Sequence, residues 1–164
     1  MAVVQTKPWT GIPNPIVYQK GAWVLHLLRG QIGAERFWAG IREYYRRYRD
    51  GNASTADFQH VMEEVSGTDL GWFFRQWVYR AGSPVIEGGW SYHSAAKKIE
   101  IHLAQIQPGP AYRLPLEIAV DGKINKVELN AKQQRFQLPA ASAPSQVELD
   151  PNTRMLMDAK FSKD

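Results

Sequence analysis

The sequence predicts an α+β chain, with an all-helical lobe of about four helices followed by a small antiparallel β-sandwich. Two observations carry this expectation. Apolar residues recur at helical spacing, between recognisable caps and stops, from Asn14 to Val78. Beyond Ala81-Gly82-Ser83-Pro84 the apolar period drops from 3.6 to 2, and turn signals appear about every ten residues. The expected boundary falls at that change, giving a helical lobe over 1–83 and a β domain over 84–164.

Residues 1–13 carry Pro8, Gly11 and Pro13 and read as an irregular lead-in. The first helix is the most distinctive stretch. Asn14 is a good N-cap, and Pro15 takes the first helical position, where its missing N–H costs nothing. From Pro15 to Leu28 only Lys20 carries a fixed charge, while Ile16, Val17, Gly21, Ala22, Trp23, Val24, Leu25, Leu27 and Leu28 cover nearly every side. A helix that is apolar all round is normally buried all round. At roughly two dozen ångströms it is too short for a membrane span, so it is expected to be the central helix of a globular body. It should end near Gln31 or Ile32, with Gly33 as the stop.

The second helix should run from Ala34 to about Arg49. Its apolar stripe is Phe37, Ile41, Tyr44, Tyr45 and Tyr48, with Arg36, Glu43, Arg46, Arg47 and Asp50 mostly off it. A third helix starts at a Ser54/Thr55 cap, carries Asp57 in its first turn, buries Phe58, Val61, Met62 and Val65, and stops at Gly67. Thr68 is read as the cap of a fourth, which presents Leu70, Phe73, Phe74, Trp77 and Val78.

In the second half, Ile99, Ile101 and Leu103 alternate with Lys98, Glu100 and His102. Leu114, Leu116, Ile118 and Val120 alternate in the same way, and Asp121-Gly122 is a strong hairpin signal leading into Val127 and Leu129. Phe136/Leu138, Val147/Leu149 and Met155/Met157 read as further short strands. Pro115 places its strand at an edge or a bulge.

Composition narrows the function. There is no cysteine, which rules out a disulfide framework, a thiol nucleophile and a cysteine-based metal site, and is compatible with any compartment. Net charge is +4; residues 1–82 hold ten Lys/Arg against seven Asp/Glu, and residues 83–164 ten against nine. That excess makes no case for nucleic acid or an anionic membrane. No segment is long and apolar enough to span a bilayer, and the start lacks the basic and apolar regions of a signal peptide.

The four histidines, His26, His60, His93 and His102, are none of them followed by Glu, so H-E-x-x-H is absent. His60 and Glu64 lie one helical turn apart, but a zinc site needs about three protein ligands, and a solvated helix face is the simpler account. His26 reads as a hydrogen-bonded core or interface residue. No G-x-S-x-G and no glycine-rich phosphate loop occur, Glu63/Glu64 and Glu148/Asp150 read as surface placements, and the second helix's arginines are interleaved with acids as a salt-bridged face. Tyr18 differs. It lies in a first helical turn, where unpaired N–H groups and the macrodipole give a partial positive charge. Such a tyrosine is either packed with its hydroxyl satisfied or a donor to a developing oxyanion.

Tyr18-Gln19-Lys20-Gly21-Ala22, followed by the apolar helix to Arg29, resembles the Y-x-K-G segment of the aminopeptidase N family of zinc metallopeptidases. The likeness continues through Ile32-Gly33, Phe37-Trp38, Gly40-Ile41-Arg42 and Tyr44-Tyr45. It goes on through Thr55, Asp57-Phe58, Met62-Glu63, Val65-Ser66-Gly67, Asp69-Leu70, Phe73-Phe74, Gln76-Trp77 and Pro84. Residues 85–160 resemble, more weakly, the small β-sandwich after the family's catalytic domain, through Gln105-Ile106-Gln107, Leu114-Pro115-Leu116 and Leu149-Asp150-Pro151.

The resemblance implies a hydrolase that removes N-terminal amino acids from peptides. In that family zinc is held by H-E-x-x-H and a further Glu, and a tyrosine, here Tyr18, supports the tetrahedral intermediate. The zinc ligands and the general base lie upstream in the family and have no counterpart here. The chain is therefore expected to be a C-terminal segment: the end of a gluzincin-type catalytic domain plus the β domain. Such a segment would be inactive alone and would bind no zinc itself. Its expected partners are the upstream zinc-bearing lobe and, through the parent enzyme, peptide substrate. The surface around Tyr18, Gly21, Ala22 and Trp23 should be partly exposed or hidden in a self-association contact. A reading of another class is a non-catalytic protein-interaction module on the same scaffold. A carbohydrate-binding sandwich, using Trp90, Tyr92 and Tyr112 as exposed aromatics, is a third.

Overall fold

The structure, a computed structural model, describes residues 15–164, with side chains from Val17 onward. The irregular lead-in and the Asn14 cap lie outside the described residues. The chain divides between Gly82 and Ser83 into two compact units.

The first unit is helical. Helix α1 spans Pro15–Ile32 and α2 spans Ala34–Tyr48. Gly33 separates them at φ +86°, a left-handed conformation that suits glycine, and its N–H bonds the Arg29 carbonyl at 3.0 Å. Helix α3 spans Thr55–Ser66. It opens on a full capping box: Asp57 N–H donates to Ser54 Oγ at 3.2 Å, and Ser54 N–H donates to Asp57 Oδ2 at 2.8 Å. Gly67, at φ +65°, closes it. The fourth helix is short. α4 covers Gly71–Phe74 and runs into a turn of π-helix over Arg75–Tyr79, closed by Arg80 N–H on the Arg75 carbonyl at 3.1 Å. Thr68 is not its cap. Asp69 Oδ1 accepts the Gly71 N–H at 2.8 Å, and Glu63 Oε1 accepts the Leu70 N–H at 2.9 Å.

The core of this unit is aliphatic on α1 and mixes aromatic with aliphatic side chains elsewhere. Val24, Leu27, Leu28 and Ile32 are buried with Phe37, Val61, Met62, Leu70, Phe73, Phe74, Trp77 and Val78. Tyr44 meets Tyr48 at 5.2 Å and Phe58 edge-on at 5.1 Å, and Phe58 reaches Phe74 at 6.1 Å. Gly40 is the point of close approach between α2 and α3, since a Cβ there would overlap the Met62 thioether. Tyr45 does not belong to the α2 stripe. It is 67% exposed, one residue past Tyr44 and therefore turned off the buried face.

The second unit is a sandwich of two sheets. Its strands are β1 (Val85–His93), β2 (Lys98–Gln105), β3 (Leu114–Val120), β4 (Lys123–Leu129), β5 (Gln133–Pro139), β6 (Val147–Leu149) and β7 (Asp158–Lys163). One sheet has the order β5-β2-β1-β7 and the other β4-β3-β6. Every pairing is antiparallel except β1 with β7, which is parallel. Ile86, Ile99, Ile101 and Leu103 of one sheet and Leu114, Leu116, Ile118 and Leu129 of the other are buried. Pro115 sits on the middle strand, yet β6 pairs only with Ile118–Val120, so on that side β3 is locally an edge.

Two strands differ from expectation. β1, which is not among the expected strands, carries Gly88-Gly89. Here the missing side chains allow close approach, because a Cβ on Gly88 would overlap the His102 carbonyl of β2. The last strand lies at Asp158–Lys163, whereas Met155 and Met157 precede it in irregular backbone. The reason is Asp150, whose carboxylate accepts the Arg154 and Met155 N–H groups at 2.9 Å each and holds that segment in a turn.

The motif Gln105-Ile106-Gln107 supplies polar cement. The buried Gln105 amide donates to Tyr112 O at 2.8 Å and accepts from Tyr112 N–H at 2.8 Å, and Gln107 donates to Gln105 Oε1 at 3.0 Å. Trp90 and Tyr112 are buried, at 5% and 1% exposure. This removes two of the three aromatics on which a carbohydrate platform was conceived.

Two expectations follow. Hydrogen bonds from the Ser54 side chain and backbone hold the Asp57 carboxyl below its ordinary 3.8. Its contribution to stability is full above that value and is lost as pH falls through the lower folded value. Asp57→Asn should therefore flatten the acid limb of the helical unit's stability curve below about pH 4, read by denaturant titration at several pH values. Gly88→Ala should lower the stability of the β unit by about 2 kcal/mol or more in thermal unfolding, because the obstacle is backbone and cannot swing aside.

Candidate functional site

Tyr18 is the fourth residue of α1, within its first turn. It is 67% exposed, so it is no packed core tyrosine. α1 shows why. Its buried residues, Lys20, Val24, Leu27, Leu28 and Ile32, recur at steps of three and four and form one stripe. Tyr18, Ala22, Leu25 and Arg29 form another, and all four are exposed. Burial on α1 is therefore one-sided although its composition is not. Gly21 and Trp23 are half-buried, and His26 is exposed and meets Trp23 edge-on at 5.4 Å. His26 is thus a surface residue, not a core one.

Lys20 was the lone charge between Pro15 and Leu28, and it is buried at 8% exposure. Its ammonium donates to the Arg80 carbonyl and the Gly82 carbonyl, each at 3.1 Å. Burial first, and then the neighbouring Arg80 guanidinium, hold this lysine below its ordinary pKa. Sequence reasoning gave Lys20 no role beyond its place in Y-x-K-G. A signal was available: Lys20 stands four, seven and eight residues before Val24, Leu27 and Leu28, on the stripe that packs inward.

The remaining candidates behave as ordinary structure. His60 Nε2 lies 3.0 Å from Glu64 Oε1, and Glu64 also takes Arg47 Nη1 at 2.7 Å, so its carboxylate is engaged in an ion pair. Among the described residues no group of three or more His, Asp or Glu is placed to hold a metal ion. Glu43 bonds both Arg46 and Arg47, which pull its carboxyl down to about 2, and α2 carries the salt-bridged face expected of it. Glu63 is spent on Gln59 Nε2 and the Leu70 N–H, at 2.9 Å each, and Asp150 on its turn. No described helix is long and apolar enough to cross a membrane.

An exposed tyrosine on the first turn of a helix otherwise pinned through a buried lysine is the geometry to set beside known proteins. Residues 4–77 match the peptidase family M1 domain. The chain is 33% identical to aminopeptidase N of Escherichia coli (strain K12) over 106 residues, which is 62% of this chain and 12% of that protein. Over residues 4–77 the chain is aminopeptidase N-like. It is also 41% identical over 73 residues to aminopeptidase M1-D of Oryza sativa subsp. japonica, covering 44% of this chain and 8% of that one. Probable aminopeptidase 1 of Sulfurisphaera tokodaii aligns over 140 residues at 26% identity, 82% of this chain and 17% of that protein.

The fold likeness extends over the whole chain. A crystal structure of Legionella pneumophila aminopeptidase A in complex with aspartic acid superposes with a TM-score of 0.82 at 16% identity, covering 100% of this chain and 20% of the other. The chain thus spans under a fifth of the length of these sequence relatives. M1 aminopeptidases are zinc metallopeptidases, but the described donors of this chain do not fit a zinc site: the nearest pair, His60 and Glu64, already shares its carboxylate with Arg47.

Proposed function

We propose that this chain is the C-terminal segment of a zinc-dependent aminopeptidase that removes N-terminal amino acids from peptides. In this reading it contributes Tyr18 and part of the wall of the substrate cleft, divided as a helical lobe over 1–83 and a β domain over 84–164. The metal and the general base belong to an upstream lobe. The observation that carries the proposal is the exposure of Tyr18, the tyrosine of the family segment, on the first turn of α1.

The chemistry follows from that position. Attack on a peptide carbonyl turns a neutral oxygen into an oxyanion. A phenolic O–H donates one hydrogen bond, and the helix N-terminus adds a positive field, so both interactions strengthen as charge develops. Interactions that grow in the transition state raise kcat and leave substrate binding nearly untouched. Tyr18 therefore acts by holding a donor where charge appears, and takes no part in holding the metal.

The bare stripe of α1 supports the same reading. Tyr18, Ala22 and Leu25 line one side of the helix and are exposed, Leu25 at 41%. Apolar side chains aligned on one helix face are ordinarily covered by another element. We assign the cover to the zinc-bearing lobe, with self-association as the substitute when that lobe is missing. The second reading, a non-catalytic protein-interaction module, draws on the same stripe, with a partner protein in place of the lobe.

In a complete enzyme carrying this segment, Tyr18→Phe should lower kcat by about 10²–10³-fold with KM changed little, measured by steady-state hydrolysis of an aminoacyl substrate. Near-normal kcat would sink the role of Tyr18. The chain alone, supplied with zinc, should not turn over an aminoacyl chromogenic substrate; measurable turnover would overturn the division of labour between lobes.

A further inference from the structure

We propose that Lys20 is a positioning residue for Tyr18. Its ammonium, bound between the Arg80 and Gly82 carbonyls, locks the first turns of α1 to the segment that closes the helical unit and so sets the direction of the phenol. This rests on the role proposed for Tyr18.

The argument begins with what holds the start of α1. Among the described side chains ahead of Val24, Lys20 alone is buried. Val17, Gly21 and Trp23 are half-buried, and Tyr18, Gln19 and Ala22 are exposed. The first turn of a helix also lacks intrahelical partners for its N–H groups, and helix ends open at little cost. Among the described residues, fully buried apolar packing on α1 therefore starts at Val24, and Lys20 is the one buried anchor of the turns before it.

The lysine is tied to a firm acceptor. Arg80 and Gly82 lie 60 and 62 residues away in sequence, directly after the π turn. Arg80 is itself fixed by its N–H on the Arg75 carbonyl, and Gly82 adopts φ +89°, a left-handed turn that lets two carbonyls of one short segment converge on a single ammonium. A compact ammonium with three donors suits two convergent carbonyls better than a planar guanidinium.

Geometry makes the tie directional. Lys20 follows Tyr18 by two residues, roughly 200° around the helix, so the two side chains leave α1 on opposite sides. Pinning one side fixes the rotation of the other. A rotation of about 10° moves a side-chain tip roughly 6 Å from the helix axis by about 1 Å. A misplacement of that size costs on the order of 10²-fold in rate when the displaced group must meet a reacting atom.

Two measurements test this. In this chain, hydrogen exchange on Lys20→Met should show amides 19–24 losing protection by about tenfold or more, with α2 and α3 changed by less than about threefold. Unchanged protection at 19–24 would overturn the proposal. So would a loss spread over the whole helical unit, or a variant that fails to fold, either of which makes Lys20 a holder of the fold in general. In a complete enzyme carrying the segment, Lys20→Met should lower kcat by about 10–100-fold with KM within about threefold, and should add less than about twofold on a Tyr18→Phe background. Full additivity of the two substitutions, or an unaffected kcat in Lys20→Met beside an impaired Tyr18→Phe, would reject Lys20 alone. An unaffected Tyr18→Phe would instead reject the reading of Tyr18 on which the proposal stands.

Discussion

Everything in the helical unit depends on how one apolar helix is satisfied by few neighbours. α1 is apolar on nearly all sides, yet α2, α3 and the short α4 with its π turn leave it a single buried stripe, Lys20-Val24-Leu27-Leu28-Ile32. The geometry of a helix imposes this: residues three and four apart share a face, and a few short helices cover only part of the circumference. The choice of stripe then decides which residues face outward. Tyr18 and Leu25 stand on the free side because Val24, Leu27 and Leu28 stand on the packed one.

The packed side carries a charge at its leading end. A lysine on the buried stripe removes an ammonium from water, and here the loss is offset by two backbone carbonyls. Those carbonyls are presented by an irregular stretch, a π turn followed by a left-handed glycine, where an ordinary helix would have consumed its own carbonyls. The irregularity of the fourth helix and the burial of Lys20 are thus two halves of one arrangement. A comparable economy runs through the β unit, where Gln105, Gln107 and Asp150 tie loop backbone to the sandwich through side-chain amides and a carboxylate.

Much of this was legible in the residues. Pro15, Gly33, the Ser54–Asp57 box and Gly67 marked helix ends because such signals act through bonds a few residues long. Ile99-Ile101-Leu103 and the Asp121-Gly122 turn marked strands for the same local reason. β1 and β7 were not legible. Gly88-Gly89 has no side-chain pattern to read, and β7 is a mostly exposed strand whose partner among the described residues, β1, lies some seventy residues earlier. Thr68 was a plausible cap displaced by Asp69, whose carboxylate reaches the Gly71 N–H.

The sequence by itself determined the α+β order, the helix ends, the family segment around Tyr18 and the absence of H-E-x-x-H, since each depends on residue identity and spacing alone. Only the tertiary structure decided that Tyr18 is exposed, that His26 is a surface residue, that Trp90 and Tyr112 are interior, and that Lys20 is buried against Arg80 and Gly82. Each of these depends on which neighbour arrives from far along the chain. An apolar helix records how much surface it must hide, but not which side the rest of the protein will come to hide.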